Sequence, residues 1–247
     1  MAVPDLQNVV AKLKRARYSV ASEGLFRVAM DVAARLVTYA PDKDGAFDRR
    51  FGTDTAGKVQ TSALGFDDGA AQDKAVLYLP SPAKVTHWML ENIGLEPRNH
   101  AFVDLGCGKG RVVLVAAQYP FAKVIGVDLS KALSEVARRN VARFDPRSRK
   151  CADVQIVTAN ATTFDWPDAN VLLHLYHPFE PEITVAVLEH AARTWRARAK
   201  QLTVAYLLYS SAVPAVREAF ARFPWLVEKR YEHSLFGNYD WLFFQSE

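Results

Sequence analysis

The sequence predicts an α/β protein: a doubly wound, mostly parallel seven-stranded sheet with an antiparallel C-terminal hairpin and an N-terminal helical extension. Three observations carry this reading. First, residues 102–118 read FVDLGCGKGRVVLVAAQ, an apolar run ending at Asp104, a glycine-dense turn, then an amphipathic helical pattern. Strand, glycine turn and helix make the first unit of a nucleotide-type fold, whose ligand sits at the strand's carboxyl end. Second, strand-like apolar runs alternate with helical patterns as far as residue 223, as in a parallel sheet covered by helices on both faces. Third, residues 226–233 and 239–245 alternate as strands around Gly237-Asn238, a hairpin signal.

Size and charge narrow the class. With 247 residues, 50% of them hydrophobic, the chain can bury one large core, with or without an extension. A net charge of +4 permits an acidic partner without demanding nucleic acid. The two cysteines, Cys107 and Cys151, make neither a disulfide framework nor a metal-ligand spacing, so a reducing compartment and no metal are expected. No run reaches the roughly 18 apolar residues of a membrane span, and the N-terminus lacks the apolar core of a signal peptide. The expectation is a soluble, cytoplasmic protein with no membrane partner.

The elements follow in order. Residues 1–38 read as helical, from Val9, Val10 and Leu13 to Leu25, Val28, Val32 and Leu36. Lys12, Lys14, Arg15 and Arg17 form a basic cluster there, either a solvated face or a contact to an acidic partner. Residues 39–75 are glycine-punctuated and polar, and 49–57 show neither helical nor strand period; a loop of this length suits a lid over a site. The chain divides at this point into an extension (1–75) and a main domain (76–247). Tyr78-Leu79-Pro80-Ser81-Pro82 leads into a helix at 83–93, with Ser81 as its cap, Pro82 in its first turn and Gly94 at its end. Strands are expected at 101–105, 123–129, 154–158, 171–176 and 202–209. Helices are expected at 111–118, 131–144 (capped by Ser130), 181–198 and 213–223. The late aromatics Trp225, Tyr231, Phe236, Tyr239, Trp241, Phe243 and Phe244 fall at strand spacing and read as sheet core rather than as a base-stacking comb.

The glycine turn is Gly106-Cys107-Gly108-Lys109-Gly110, one residue shorter than the dinucleotide fingerprint. Asp128 closes the second strand, where a carboxylate suits a ribose diol. Cys107 lies inside the turn and reads as a small tolerated residue rather than a nucleophile.

These residues resemble the class I (Rossmann-like) S-adenosylmethionine-dependent methyltransferases over about residues 80–247. Asp104 to Gly110 matches their first motif, (D/E)-x-G-x-G-x-G, and Asp128 matches the acidic residue closing strand two. The resemblance implies S-adenosyl-L-methionine as cofactor, held by Asp104, Gly106, Cys107, Gly108, Gly110, Asp128 and Leu129, and by Asn160 and Ala161 after strand three. Asp104 would orient the turn or meet the cofactor's amino group, and Asn160 or Asp165 would meet the adenine. The Tyr-x-Pro-(S/T)-Pro stretch at Tyr78 resembles that of some non-SET protein-lysine methyltransferases, where it lines the cofactor and the target-amine channel; a plain cap with a packed tyrosine is the other reading. After strand four the chain reads Tyr176-His177-Pro178-Phe179, where amine-methylating members often have (N/D)-P-P-(F/Y/W). One proline and the aromatic are kept, but no Asn or Asp stands first. His177 is then either a general base or a backbone-bonded loop histidine. The catalytic candidates are Tyr78, His177, Pro178 and Phe179. The expected activity is methyl transfer to an amine, such as a protein lysine. Alternatives are an RNA, DNA or small-molecule methyltransferase, or a non-catalytic cofactor-binding module.

Overall fold

The computed structural model describes residues 45–57, 59, 78–177, 180–198, 200–233 and 239–247. The helices expected over 1–38 with their basic cluster, the parts of the expected 39–75 loop at 39–44, 58 and 60–75, Pro178, Phe179, Phe236 and the Gly237-Asn238 turn lie outside the described residues.

The sheet is built around β1 (His100–Leu105), every residue of which is buried. It pairs in parallel with β2 (Lys123–Asp128) on one side and β4 (Asn170–Tyr176) on the other. The strand β3 (Val154–Thr158) lies outside β2, and β5 (Leu202–Tyr209) outside β4. The seven strands run in the order β3-β2-β1-β4-β5-β7-β6, with β6 at Leu226–Glu232 and β7 at Tyr239–Ser246. The antiparallel C-terminal pair is present, and β7 also runs antiparallel to β5, between β5 and β6. Strand order reverses between β1 and β4, and in open sheets of this type the ligand crevice opens at the carboxyl ends of such strands. Leu105 stands level with Val127 and Leu175, so the chain leaves β1, β2 and β4 at one height.

Alternate residues of each strand feed two cores. Val103, Leu173, Val204 and Phe244 face helices α5 (Pro181–Thr194) and α6 (Val213–Ala221). Phe102, Leu172, Leu207 and Trp241 face α2 (Ala83–Asn92) and α3 (Arg111–Ala116). The helix α4 (Lys131–Arg143) packs along β3 and β2, its amino end capped by Ser130 Oγ accepting from Leu133 N. The late aromatics divide: Trp225, Trp241, Phe243 and Phe244 are core, whereas Tyr231 is 38% exposed.

Several boundaries differ from expectation for identifiable reasons. The α3 helix ends at Ala116 because Gln118 and Tyr119 donate to carbonyls three residues back, tightening the last turn before Pro120. Likewise α6 stops at Ala221, ahead of Pro224, whose ring disfavours helical angles in the residue before it. The α5 helix ends at Thr194 and a short 3-10 turn, Arg196–Arg198, follows; Trp195 between them is buried in the core. Ser81 does not cap α2. Pro82 occupies the cap position with extended angles (φ −60°, ψ 126°), and Ser81 Oγ makes no hydrogen bond. Residues 49–57 are not wholly irregular, for α1 (Ala46–Phe51) runs into them. It is six residues long, too short to hold itself. Phe47 is buried in the second core, and Phe51 packs its ring 4.8 Å from that of Phe144.

Candidate active site

The turn after β1 crosses to β2. Gly106 N and Cys107 N both donate to Val127 O, at 2.8 and 3.0 Å. Gly106, Gly108 and Gly110 have φ of 76°, 55° and 85°, the left-handed region that side chains with a Cβ avoid. Asp128, at the tip of β2, ties the turn down: Oδ2 accepts from Gly108 N at 2.7 Å and Oδ1 from Ser130 N at 2.8 Å. Burial pushes its carboxyl up to about 6, with the Asp104 charge adding and the two N–H groups opposing. Cys107 is a buried thiol held well above its ordinary value by burial and by Asp128 and Asp104, so it stays protonated. Leu129, the next residue after Asp128, is 42% exposed.

Tyr78 lies on this turn. A methyl group on Gly108 would come within 2.1 Å of Cε2 of its ring. The hydroxyl donates to Thr55 O at 2.8 Å, and its backbone pairs with Val59. Burial raises the phenol far above its usual range, so it stays protonated. The segment following α1 is thus drawn against the turn. Lys109 Nζ reaches Asp54 Oδ1 (3.0 Å) and Ala56 O (2.9 Å). Arg111 Nε donates to Thr55 Oγ1 at 2.8 Å. Asn140 of α4 donates to Asp54 O and to Lys109 O, both at 2.9 Å, and accepts from Asp54 N.

Asp48 organises that segment from within. Its oxygens accept from Thr53 Oγ1 (2.7 Å), Thr55 Oγ1 (2.7 Å), Thr55 N (2.9 Å) and Ala56 N (2.7 Å). Burial pushes its carboxyl up, and these bonds outweigh the burial, leaving it below the ordinary carboxylate value. Asp48→Ala strands donors of Thr55, a fully buried residue, and is expected to destabilise the protein by about 2–4 kcal/mol. Urea denaturation measures this, and an unchanged midpoint would show that the segment contributes nothing to the fold.

At the end of β4 stands His177, with φ 39°, the one non-glycine residue with positive φ among the described residues. Such backbone costs on the order of 1–3 kcal/mol and tends to mark functional sites. Its N–H donates to Leu207 O at 2.9 Å, which ties it to β5. Burial lowers the imidazole's pKa, the nearby Glu180 opposing, so the ring is neutral at pH 7. Nδ1 is buried without a hydrogen-bond partner in the structure. Three residues earlier in β4, His174 bonds Asp104 of β1, Nδ1 to Oδ1 2.7 Å, both side chains buried. The tie of Asp104 is thus to β4 rather than to the glycine turn. Beyond β3, Asn160 Oδ1 accepts from Thr162 N and Oγ1, both at 2.9 Å, closing its own turn. Ala161 is buried beside it, and Asp165 is exposed.

Of the residues expected in the site, the structure brings together Tyr78, Gly106, Cys107, Gly108, Gly110 and Asp128, with Leu129 adjoining. His177 stands at the neighbouring strand end. The sequence offered no signal for Thr55, Asn140 or His174, whose roles depend on contacts 31 to 86 residues apart. Lys109 lies within the motif and Arg111 directly after it.

Comparison with known proteins agrees with this geometry. Residues 102–198 match the family described as "Methyltransferase domain". A protein-lysine N-methyltransferase of Saccharolobus islandicus is 32% identical over 98 residues, 39% of this chain and 58% of that protein. The H3 lysine-79-specific histone-lysine N-methyltransferase of Dictyostelium discoideum is 27% identical over 117 residues, 44% of this chain and 6% of that protein. The chain therefore spans less than two thirds of these relatives. TrmN from Thermus thermophilus superposes with a TM-score of 0.51 at 16% identity, covering 67% of this chain and 48% of that chain, a likeness of fold. Sheet, motif and family match together define a class I methyltransferase domain, the S-adenosylmethionine-dependent type. Residues 102–198 are its matched core, running from β1 to the turn after α5.

The described residues suit that cofactor. The left-handed glycine turn presents bare backbone, Asp128 offers carboxylate lone pairs beside it, and exposed Leu129 offers an apolar face for an adenine ring. Among the described residues no group of side chains could hold a metal ion, and no helix is long and apolar enough to cross a membrane.

The raised carboxyl of Asp128 makes a pH prediction. Burial favours the neutral form, so Asp128 stabilises the cofactor-free fold most below its ordinary value of 3.8 and loses that contribution as pH rises through about 6. A ribose diol at Asp128 would donate to the ionised form, so cofactor affinity is expected to run the other way. S-adenosylhomocysteine is expected to bind about tenfold more weakly at pH 5 than at pH 7.5. Calorimetry at the two values tests this, and equal affinities would remove Asp128 from the cofactor contacts.

Proposed function

We propose that this protein transfers the methyl group of S-adenosyl-L-methionine to an amine, with a protein lysine as the acceptor. The observation that carries the reading is His177, a neutral imidazole in left-handed backbone just past the end of β4, two residues beyond Leu175, which is level with the end of β1. When bound, the cofactor supplies an electrophilic methyl group on a sulfonium. An amine acceptor reaches the site as an ammonium and must lose a proton before its nitrogen has a lone pair to attack with. A neutral histidine can hold that proton. Tyr78, kept protonated by burial, and the segment 53–57 close the turn side of the site and help to exclude water. Pro178 and Phe179, next in the chain, are proposed to flank the acceptor. Asn160 and Ala161 are assigned to the adenine side, and residues 1–75 to an extension whose loop covers the site. The names of the lysine-methylating relatives support the acceptor class. A cytoplasmic setting goes with the reading, since both cysteines are buried free thiols.

The test is transfer of labelled methyl from S-adenosylmethionine to whole-cell protein and RNA pools, followed by hydrolysis and amino-acid analysis. Label in methyl-lysine is the expected result. Label confined to RNA or to small molecules would overturn the amine reading and leave the methyltransferase domain intact. His177→Ala is expected to lower the transfer rate about 10²-fold or more with little change in S-adenosylhomocysteine affinity. A wild-type rate would return His177 to a loop histidine.

A further inference from the structure

Beyond the end of β4 lies a group of rings that neither the glycine turn nor the cores use fully. Tyr176 closes β4, Tyr209 closes β5, and Tyr239 opens the antiparallel β7 opposite Tyr209, so all three gather at the carboxyl end of the parallel strands. Tyr209 and Tyr239 stack with centroids 4.7 Å apart. Tyr176 stands 5.6 Å from Tyr239 at a 53° tilt, and the His177 ring meets Tyr209 edge-on at 5.5 Å and 85°. Tyr239 Oη donates to Tyr209 Oη at 3.2 Å, which fixes the pair. Register places the cluster relative to the cofactor turn. Leu175 is level with Leu105 and Tyr176 with Leu207, so Tyr176 stands one residue past the level at which β1 ends, and Tyr209 stands on the next strand two residues further out.

Two features set this cluster apart from ordinary core. Tyr209 is 38% exposed, unusual for a large ring inside an aromatic group, and the other two are only partly buried. The other feature is the company of His177, whose neutral ring meets Tyr209 edge-on and leaves no positive charge against that ring. Partly open π faces and phenolic oxygens suit a cation, because aromatic quadrupoles attract positive charge on their faces.

We infer that Tyr176, Tyr209 and Tyr239 form a subsite that receives the cationic alkylammonium end of the methyl acceptor at the carboxyl end of β4 and β5. This rests on the amine reading above. It adds the groups that select the acceptor as a cation, which then gives its proton to the His177 side of the site. The box faces a mono- or dimethylated ammonium as well as it faces an unmethylated one, so it is compatible with successive transfers.

The experiment uses the full chain and labelled transfer to the whole-cell protein pool, with tetramethylammonium as an inhibitor and neutral tert-butanol as its size-matched control. Tetramethylammonium is expected to inhibit competitively with the protein pool, and tert-butanol not at all. Tyr209→Leu is expected to lower the initial rate about tenfold and to relieve the inhibition, with S-adenosylhomocysteine affinity unchanged. Tyr209→Phe, which keeps the ring, is expected to lose less than Tyr209→Leu in both respects. Wild-type transfer to lysine that is insensitive to tetramethylammonium, or equal to that of Tyr209→Leu, would overturn the subsite and leave the amine reading standing. Transfer to RNA alone would overturn both. Should Tyr209→Leu fail to fold, the comparison of the two inhibitors on the wild type still decides the matter.

Discussion

Gly108→Ala is expected to abolish measurable cofactor binding and to destabilise the protein by about 2–4 kcal/mol. Two costs combine. At φ 55° a Cβ costs roughly 1–2 kcal/mol. The new methyl would also lie 2.1 Å from Cε2 and 2.4 Å from Cδ2 of Tyr78. That ring is no free end able to swing aside, because its hydroxyl is anchored on Thr55 O and its backbone on Val59. Overpacking of this kind adds about 1–3 kcal/mol. Chemical denaturation gives the stability loss, and S-adenosylhomocysteine calorimetry gives the binding loss. If the clash is the cause, Tyr78→Ala introduced with Gly108→Ala restores part of the stability, a non-additive result in a double-mutant cycle. A Gly108→Ala protein with wild-type midpoint and affinity would show that Tyr78 does not sit on the turn in solution.

The second large effect is at Asp128. Asp128→Ala is expected to weaken S-adenosylmethionine and S-adenosylhomocysteine binding about 10- to 100-fold, the cost of unpairing charge-assisted hydrogen bonds. It also frees Gly108 N–H and Ser130 N–H, so the turn after β1 loses its tie to β2. Asp128→Asn keeps one acceptor oxygen and is expected to retain more stability than alanine, while losing the pH dependence near 6 described above. A folded Asp128→Ala variant with unchanged affinity would mean that the carboxylate serves only the turn.

Much of the fold was legible because it is written in short-range pattern. Parallel strands buried on both faces read as unbroken apolar runs, and 202–209 falls where its run places it; the half-buried edge strand at 154–158 also lies where expected. Gly94, left-handed at φ 73°, follows α2 as expected, and Ser130 caps α4. Misplaced ends, such as the Ser81 cap and the last turns of α3, α5 and α6, turn on hydrogen-bond choices worth about 1 kcal/mol each, below what residue type alone resolves. The short helix α1 was invisible for a different reason. Its stability comes from Phe47 and Phe51 packing on residues far along the chain.

The same division holds for the site. The sequence by itself determined the α/β class, the glycine turn and the acidic residue closing β2, since each is a local pattern that one chemistry demands. Only the tertiary structure decided what surrounds them: Tyr78 laid on Gly108, the 53–57 segment bound by Lys109, Arg111 and Asn140, Asp104 paired with His174, and three tyrosines meeting at one sheet end. Those contacts join residues up to 86 positions apart. They form because strand order and register set neighbours that no spacing along the chain records.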